Sequence, residues 1–304
     1  MGEQNTNLMQ KLAGLGDILR GCGSAAVAFS GGVDSTFLLK AAADSLEGRV
    51  IAVTVRSPFF PQRESEMTAS FCAEHGIPQM FLDIDPLAVP ELAANPPDRC
   101  YLCKKTIFGQ ILRAAEDAGA GVVLEGSNLD DGLDFRPGSR AIRELGVRSP
   151  LKEAGLTKAD IRQLSKEAGL PTWDKPAFAC LASRIPYGET ISREKLGMAE
   201  EAEDLLLQLG FTQMRVRIHE SAGGETIARI ELPEEDIPRL LETAGNQTAG
   251  NQALGNQTPG ESLRTKIARE LRQMGFSYVS LDLEGYQMGS LNRGLSAEVL
   301  QNGK

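Results

Sequence analysis

The segment that most constrains the fold is residues 25–36, AAVAFSGGVDST, in which a short apolar stretch runs directly into two glycines. The apolar part has the length of a buried strand, and residues 35–45 have the composition of a helix. Glycines let the backbone approach a ligand closely, and a helix N-terminus presents free N–H groups and a positive dipole end. The segment therefore predicts an anion-binding loop, and an ordinary tight turn is the less favoured interpretation.

The polar residues of this loop narrow the class of anion site. Ser30 and Ser35 add hydroxyl donors, whereas Asp34 would repel a phosphate unless it held a bridging Mg²⁺. No lysine stands in the loop, which excludes the pattern G-x-x-x-x-G-K-[ST]. Gly21 and Gly23 precede the strand, which excludes a dinucleotide fingerprint. The loop predicts a phosphate site of another class, with Mg²⁺ at Asp34.

Strand-like and helix-like segments alternate over the first 150 residues. Strands are expected at 25–29, 50–55, 78–84 and 122–125, and helices at 8–19, 35–45, 63–75, 101–118 and 157–169. Thr157 and Asp160 come close to a capping box at the start of the last helix. The alternation predicts an α/β domain with a parallel sheet and ligands at the carboxyl ends of its strands.

The pattern changes at about residue 187. Helices are expected at 193–209, 234–242 and 261–274, and strands at 214–220, 226–232 and 278–283. We expect a first domain over 1–186 and a smaller α+β domain over 187–304. The latter carries a low-complexity insert at 243–260, whose five-residue GNQ repeat cannot bury a face and indicates a surface loop.

Composition excludes several classes of function. A net charge of −9, from 41 acidic and 32 basic residues, argues against a nucleic-acid partner. No signal peptide and no apolar run long enough to span a bilayer is visible, which predicts a cytoplasmic protein without membrane association. Two histidines are too few for a histidine-rich metal site, and five cysteines in 304 residues argue against a disulfide scaffold.

Three of the cysteines stand in contexts that suit chemistry. Cys100 and Cys103 form a C-x-x-C at the start of a predicted helix, where the helix N-terminus lowers a thiol pKa, and Cys180 lies in a loop. Three thiols could ligate a 4Fe–4S cluster and leave one iron open. Zinc with a fourth ligand, a redox pair, or simple burial of small residues are the alternatives. We expect Cys22 and Cys72 to be structural.

The loop motif SGGVDS resembles the signature of the PP-loop ATP pyrophosphatases, an α/β family that is adenine nucleotide alpha hydrolase-like. The resemblance implies cleavage of ATP between its α and β phosphates, adenylylation of a substrate oxygen, and displacement of AMP by nitrogen or sulfur. It implies that pyrophosphate and Mg²⁺ are cradled by Ser30, Gly31, Gly32, Asp34 and Ser35. Gly126, with Ser127 and Asn128, would form a second wall of the ATP pocket. Asp130, Asp131 and Asp134 are either a solvated acidic loop or a metal or ribose site.

A closer resemblance extends over nearly the whole chain apart from the insert. It rests on SGGVDS, GSNLDD with DFRPG, CLASRIPYGE followed by I-x-R-E-K-L, MRVRIHE, ARIEL and LDLEGYQMGS. Together these resemble the LarE family, ATP-dependent sulfur-inserting enzymes of nickel-pincer nucleotide biosynthesis. The resemblance implies that a carboxylate of pyridinium-3,5-biscarboxylic acid mononucleotide is adenylylated and that sulfur displaces AMP to give a thiocarboxylic acid. It also implies a homo-oligomer, since family members form hexamers.

The family offers two sources of sulfur. One form sacrifices a protein cysteine, which aligns with Cys180; the other carries three cysteines and a 4Fe–4S cluster. Cys100 and Cys103 depart from the sacrificial form, so the resemblance implies cluster ligation by Cys100, Cys103 and Cys180.

Roles for several other side chains are predicted from their position in the sequence or from the resemblance. Arg215 and Arg217 share one face of a predicted strand, and the resemblance implies that they hold the nucleotide's phosphate together with Glu203, in a catalytic role. A solvated strand edge is the alternative for the two arginines. Arg184 is a further candidate for charge stabilisation, and Trp173 is expected to pack in the core.

Three other functions compete with sulfur transfer. An amide-forming ligase of the NAD synthetase type would not need Cys180. A tRNA thiolase would need a basic surface, which the net charge disfavours. An ATP-sensing regulator without turnover is disfavoured by Asp34 and the three cysteines.

Overall fold

The computed structural model describes residues 2–132, 137–176, 179–242 and 261–302. The chain divides into two compact units. The first contains Met1–Leu92, Pro96–Phe178 and Ser296–Lys304, and the second contains Ala93–Asn95 and Ala179–Leu295. The second unit starts ahead of the expected boundary at 187, and a buried ion pair and a hydrogen bond connect the turn after Cys180 to later residues of that unit. The insert at 243–260 and Asp134 lie outside the described residues.

The secondary structure follows the predicted alternation, with short helices added between the main elements. The α-helices are α1 (Gly2–Arg20), α2 (Val33–Ser45), α3 (Gln62–Glu74), α4 (Pro90–Ala93), α5 (Arg99–Asp117), α6 (Gly138–Glu144), α7 (Pro150–Glu153), α8 (Lys158–Glu167), α9 (Arg193–Gln208), α10 (Ile237–Leu241), α11 (Leu263–Gln273) and α12 (Ala297–Asn302). The strands are β1 (Ala25–Ala28), β2 (Val50–Arg56), β3 (Gln79–Asp83), β4 (Val122–Leu124), β5 (Arg215–Glu220), β6 (Thr226–Glu231) and β7 (Tyr278–Leu281).

The first unit is built on a parallel sheet with strand order β3-β2-β1-β4, which confirms the predicted fold class. Ala25 lies opposite Val50 of β2 on one side and Val122 of β4 on the other. The chain moves outward from β1 to β3 and then returns to place β4 on the far side of β1. In open parallel sheets, such a reversal leaves a crevice for ligands at the carboxyl ends of the two strands.

Alternate residues of β1 enter two different hydrophobic cores, which places helices on both faces of the sheet. Val27 and Phe29 pack in a core with residues of α1, α2 and α8. Ala26 packs in the other core, with residues of α5 and α6. Burial on both faces explains why the strand reads as an uninterrupted apolar run. Because helices cover both faces of the sheet, polar functional groups are expected at the ends of the strands.

The second unit contains a three-stranded sheet of order β5-β6-β7, in which β5 and β6 are antiparallel and β6 and β7 are parallel. Arg215 and Arg217 of β5 are 3% and 4% exposed, so the solvated-edge interpretation of these arginines is wrong. Trp173 of the first unit is 37% exposed with Lys166 over its ring, so its expected core packing is also wrong.

None of the helices in the described ranges combines the length and the apolar character that crossing a bilayer requires.

Candidate functional site

The predicted phosphate loop lies between β1 and α2, where the sheet opens its crevice. Gly31 has φ +71°, a conformation that favours glycine. The hydroxyls of Ser30 and Ser35 lie 3.1 Å apart, and Ser35 donates to the Gly32 carbonyl oxygen at 3.2 Å. Within the described residues, no side chain caps the N-terminus of α2 at Gly32. The loop is thus pre-shaped, with two hydroxyls and a helix N-terminus available to an anion.

A second loop closes against the phosphate loop at the end of β4. A Cβ added to Gly126 would lie 3.0 Å from the backbone nitrogen of Ser35 and 3.3 Å from Cβ of Asp34, so a larger residue would require the phosphate loop to shift. Buried Glu125 fixes the next residue, because it accepts from the backbone N–H of Ser127 at 3.1 Å and from its hydroxyl at 2.8 Å. The structure therefore brings Ser30, Asp34, Ser35 and Gly126 together, and their shared ATP pocket stays a prediction.

Asp34 has two polar partners from distant parts of the chain. The Lys158 ammonium lies 2.5 Å from Oδ2 of Asp34, and the side-chain amide of Asn128 donates to Oδ1 at 3.4 Å. Sequence reasoning missed Lys158, because 124 residues separate it from Asp34. The signal that could have found it is its place as the first residue of a capped helix.

Two of the acidic residues after Gly126 accept hydrogen bonds from backbone N–H groups. Asp130 accepts from the backbone N–H of Lys158 at 2.8 Å, and Asp131 accepts from the backbone N–H of Asn128 at 2.9 Å. These contacts help to shape the second loop, and the alternatives of a solvated acidic loop or a metal or ribose site stay predictions.

Lys175 is another residue that the sequence did not reveal. Its ammonium donates to the carbonyl oxygen of Gly31 at 3.0 Å and pairs with Glu64 at 2.6 Å. Both carboxylate and ammonium are mostly buried, so the pair is shielded from solvent. It connects Gly31 of the phosphate loop to the segment that precedes Cys180.

The three cysteines of interest divide between the units. Cys100 and Cys103 lie on the first turn of α5, three residues apart and therefore on one side of the helix. Cys180 belongs to the second unit and immediately precedes the 3₁₀ turn Leu181–Arg184. All three are partly buried, and none is in a disulfide. Across the ranges that the structure describes, no three histidine, cysteine or carboxylate side chains stand close enough together to hold a metal ion.

The remaining two cysteines fit their predicted structural part. Burial raises the pKa of Cys72 to about 11, and burial also raises the pKa of Cys22. Both therefore stay protonated and unreactive near neutral pH.

A buried arginine holds the turn after Cys180. Arg184 is 1% exposed and pairs with fully buried Glu203 through two parallel bonds of 2.6 and 2.8 Å. Its remaining nitrogen donates to the carbonyl oxygens of Ala179 at 3.1 Å and Cys180 at 3.3 Å. Glu203 also accepts from the backbone N–H of Val216 at 3.0 Å. This arrangement connects the Cys180 backbone rigidly to α9 and β5.

A second arginine reaches the same turn from β5. Arg217 pairs with Glu231 at 3.1 and 2.9 Å and donates to the Ser183 carbonyl oxygen at 2.5 Å. Glu231 is fully buried and was not singled out by sequence reasoning, although it stands in the motif ARIEL. Arg217 therefore contacts the backbone of the turn after Cys180. Any ligand held by this side chain would be a further contact.

Arg215 differs from these two arginines in its surroundings. It donates to the Met214 carbonyl oxygen at 2.6 Å and lies over the ring of Tyr286 at 5.1 Å. Burial, followed by the nearby charge of Arg184, lowers the pKa of Arg215 to about 10. Its positive charge lies close to those of Arg184 and Arg217 and to the carboxylate of Glu203. Positive charge concentrated in this way favours an anionic ligand.

Known proteins are similar to this chain over most of its length. No protein-family profile matches it. It is 39% identical over 289 residues to the uncharacterized protein slr1717 of Synechocystis sp., covering 95% of this chain and 99% of that protein. It is 36% identical over 267 residues to pyridinium-3,5-bisthiocarboxylic acid mononucleotide synthase of Lactiplantibacillus plantarum, covering 88% of each.

A more distant likeness connects the chain to the wider superfamily. It is 28% identical over 228 residues to the tRNA-specific 2-thiouridylase MnmA of Azorhizobium caulinodans, covering 59% of this chain and 56% of that enzyme. The near relatives and the phosphate-loop geometry together confirm the resemblance seen in the motifs. The chain belongs to the LarE family of ATP-dependent sulfur transferases, built on the PP-loop fold.

Proposed function

We propose that this protein replaces a carboxylate oxygen of pyridinium-3,5-biscarboxylic acid mononucleotide with sulfur, using ATP and Mg²⁺. The product is a thiocarboxylic acid, and the step belongs to nickel-pincer nucleotide biosynthesis. The name of the Lactiplantibacillus plantarum relative supports this substrate. The observation that carries the proposal is the turn after Cys180, which two buried arginines hold in one geometry.

The first chemical step takes place at the phosphate loop. A carboxylate oxygen of the substrate attacks the α-phosphorus of ATP, and the bond to the β-phosphate breaks to release pyrophosphate. Backbone N–H groups at the start of α2 and the hydroxyls of Ser30 and Ser35 bind the departing pyrophosphate. Asp34 has the oxygen ligands that Mg²⁺ prefers, and the ion would neutralise phosphate charge there.

The second step forms the carbon–sulfur bond. A sulfur nucleophile attacks the activated carboxyl carbon, and AMP leaves with the original oxygen atom. The guanidinium of Arg215, with Arg217 and Glu203 beside it, holds the phosphate of the substrate nucleotide. In this assignment Arg215 contacts the substrate, while Arg217 and Glu203 also position the Cys180 turn.

We assign Cys100, Cys103 and Cys180 as ligands of a 4Fe–4S cluster. The one-turn spacing of Cys100 and Cys103 on α5 and the chemistry of three thiols without disulfides support the assignment. When bound, such a cluster leaves one iron open to carry a sulfide. The alternative in the same family is that Cys180 itself gives up its sulfur. The resemblance leads us to expect a homo-oligomer that acts on a small molecule, and the sequence composition leads us to expect a cytoplasmic protein without a nucleic-acid partner.

Iron and sulfide analysis of anaerobically purified protein tests the cluster assignment. We expect iron and sulfide in the wild type, with most of both lost in Cys100→Ser and Cys103→Ser. The control Cys72→Ser should keep both, because Cys72 is a buried residue of the core. Cluster content that survives both Cys100→Ser and Cys103→Ser would contradict the assignment. Unchanged sulfur transfer in Cys180→Ala would contradict the proposed function itself.

A further inference from the structure

The ammonium of Lys175 lies against the phosphate loop and has all of its donors engaged within the protein. It donates to the carbonyl oxygen of Gly31 at 3.0 Å and pairs with Glu64 at 2.6 Å. Its third contact, at 3.8 Å, is with the sulfur of Met67. An ammonium has three N–H donors, so these contacts use all of them. Lys175 therefore has no donor left for a phosphate, and it acts on the loop itself.

The backbone of Lys175 is held in place from α8. The guanidinium of Arg162 donates to the carbonyl oxygens of Trp173 at 2.7 Å and of Lys175 at 2.8 Å. The backbone N–H of Lys175 donates to the carbonyl oxygen of Thr172 at 3.1 Å, which closes a turn. Because the backbone is fixed by these bonds, the long side chain starts from a defined point and reaches the phosphate loop in one direction.

The contact with Lys175 determines which way the peptide between Gly31 and Gly32 faces. This peptide is trans, and in a trans peptide the C=O and the N–H point in opposite directions. The Gly31 carbonyl points at Lys175, so the Gly32 N–H points away from it. Gly32 is the residue before α2, and its N–H has no acceptor among the residues that the structure describes. This N–H is therefore available to an anion on the side of the loop that faces away from Lys175.

The loop needs such a contact because both residues of this peptide are glycines. Gly31 has φ +71° and Gly32 has φ −80°. Turning the peptide over changes ψ of Gly31 and φ of Gly32, and glycine tolerates a wide range of both angles. In the reversed orientation the loop would present a carbonyl oxygen to the phosphate, and the two negative groups would repel each other.

We infer that Lys175 is a positioning residue, which together with Glu64 holds the Gly31–Gly32 peptide with its N–H facing the pyrophosphate leaving group. Lys175 itself does not contact ATP. The aimed N–H stabilises the negative charge that develops as pyrophosphate departs, and the carbonyl oxygen is kept away from that charge. The inference deepens the proposed function and rests on the assignment of the phosphate loop as the ATP site.

Calorimetric binding of pyrophosphate and of AMP, each with Mg²⁺, tests the inference on the full-length protein. The double variant Glu64→Gln/Lys175→Met removes both charges of the pair, so that no buried charge is left without a partner. Because the loop loses its fixed donor, pyrophosphate should bind at least about tenfold more weakly. AMP binding should change less than about twofold, since AMP has no phosphate beyond the α position. Lys175→Arg, which keeps the charge and the donors, should bind pyrophosphate within about threefold of the wild type.

The control is Lys40→Met/Asp44→Asn, which removes a 2.6 Å ion pair on α2, the helix that follows the loop. It should bind pyrophosphate as the wild type does. Equal losses for pyrophosphate and AMP in the double variant, no loss for either, or a Lys175→Arg variant that binds pyrophosphate as weakly as the double variant would overturn the inference. Wild-type protein that binds AMP but not pyrophosphate would overturn the assignment of the loop, and with it the proposed function. Thermal unfolding within a few degrees of the wild type shows that each variant is folded.

Discussion

Arg184, which lies four residues after Cys180, forms a buried ion pair with the carboxylate of Glu203 through two hydrogen bonds. The same guanidinium donates to the carbonyl oxygen of Cys180, so the position of the sulfur-bearing residue depends on the pair. A positively charged side chain this deeply buried is stable only while its counter-charge is present. The pair therefore connects the stability of the second unit to the geometry of its chemistry.

Glu203→Gln should lower the free energy of unfolding by about 3–5 kcal/mol, because it leaves a buried guanidinium without a counter-charge. Urea unfolding followed by circular dichroism measures the change. The control is Glu261→Gln, whose ion pair with Arg269 has one partner that is 45% exposed. It should cost less than about 1 kcal/mol. Similar losses in the two variants would show that the Arg184–Glu203 pair has no special structural importance.

Gly126→Ala should weaken ATP binding at least about tenfold. The added methyl group would meet backbone atoms of Ser35 and Asp34 at 3.0 and 3.3 Å, so the phosphate loop must shift. Calorimetric titration with MgATP measures the affinity. Gly109→Ala is a matched control on α5, where no atom lies within 4 Å of the added Cβ. The control should keep the affinity and gain a little helix stability, and an equal affinity in Gly126→Ala would contradict the close packing of the two loops.

His219 should make the protein less stable as the pH falls below about 6.5. Burial, together with the positive charges of Arg229 and Arg217, lowers the pKa of His219 in the folded state. Arg229 also donates to Nε2 of His219 at 3.0 Å, a contact that requires this nitrogen to be unprotonated. Because the unfolded state takes up the proton first, the stability is complete above pH 6.5. As the pH falls through the folded-state pKa of His219, the free energy of unfolding decreases by no more than about 1.4 kcal/mol per pH unit.

Stability measurements between pH 5 and 8 on His219→Gln test this dependence, with glutamine supplying an alternative acceptor. We expect the loss on acidification to become smaller in this variant. An unchanged profile in His219→Gln would assign the acid sensitivity to other groups.

Local sequence patterns predicted the secondary-structure elements well, but they did not reveal contacts between residues that are distant in the sequence. The run AAVAF is buried on both faces of β1, so its apolar sequence indicated a central strand. Thr157 and Asp160 form the capping box that their spacing suggested, because a cap depends on neighbouring residues alone. Lys158 and Lys175 reach the phosphate loop across 124 and 144 residues, and no local pattern encodes such a distance.

The burial of the two arginines of β5 was likewise not predicted from the sequence. Alternation placed Arg215 and Arg217 on one face correctly, but charged residues on a strand are usually read as solvated. Arg217 is buried with Glu231 of the neighbouring strand and the Ser183 carbonyl oxygen as its partners, and buried Arg215 donates to the Met214 carbonyl oxygen. That compensation depends on strand pairing and tertiary contacts, which composition does not reveal.

The most direct test of ATP-dependent sulfur transfer is mass spectrometry of all components after one anaerobic turnover. The reaction contains MgATP, pyridinium-3,5-biscarboxylic acid mononucleotide and the purified protein. The account predicts one AMP and one pyrophosphate for each substrate oxygen replaced by sulfur, with the mass of the protein chain unchanged. Release of ADP and phosphate from a substrate that keeps all its oxygen atoms would contradict it.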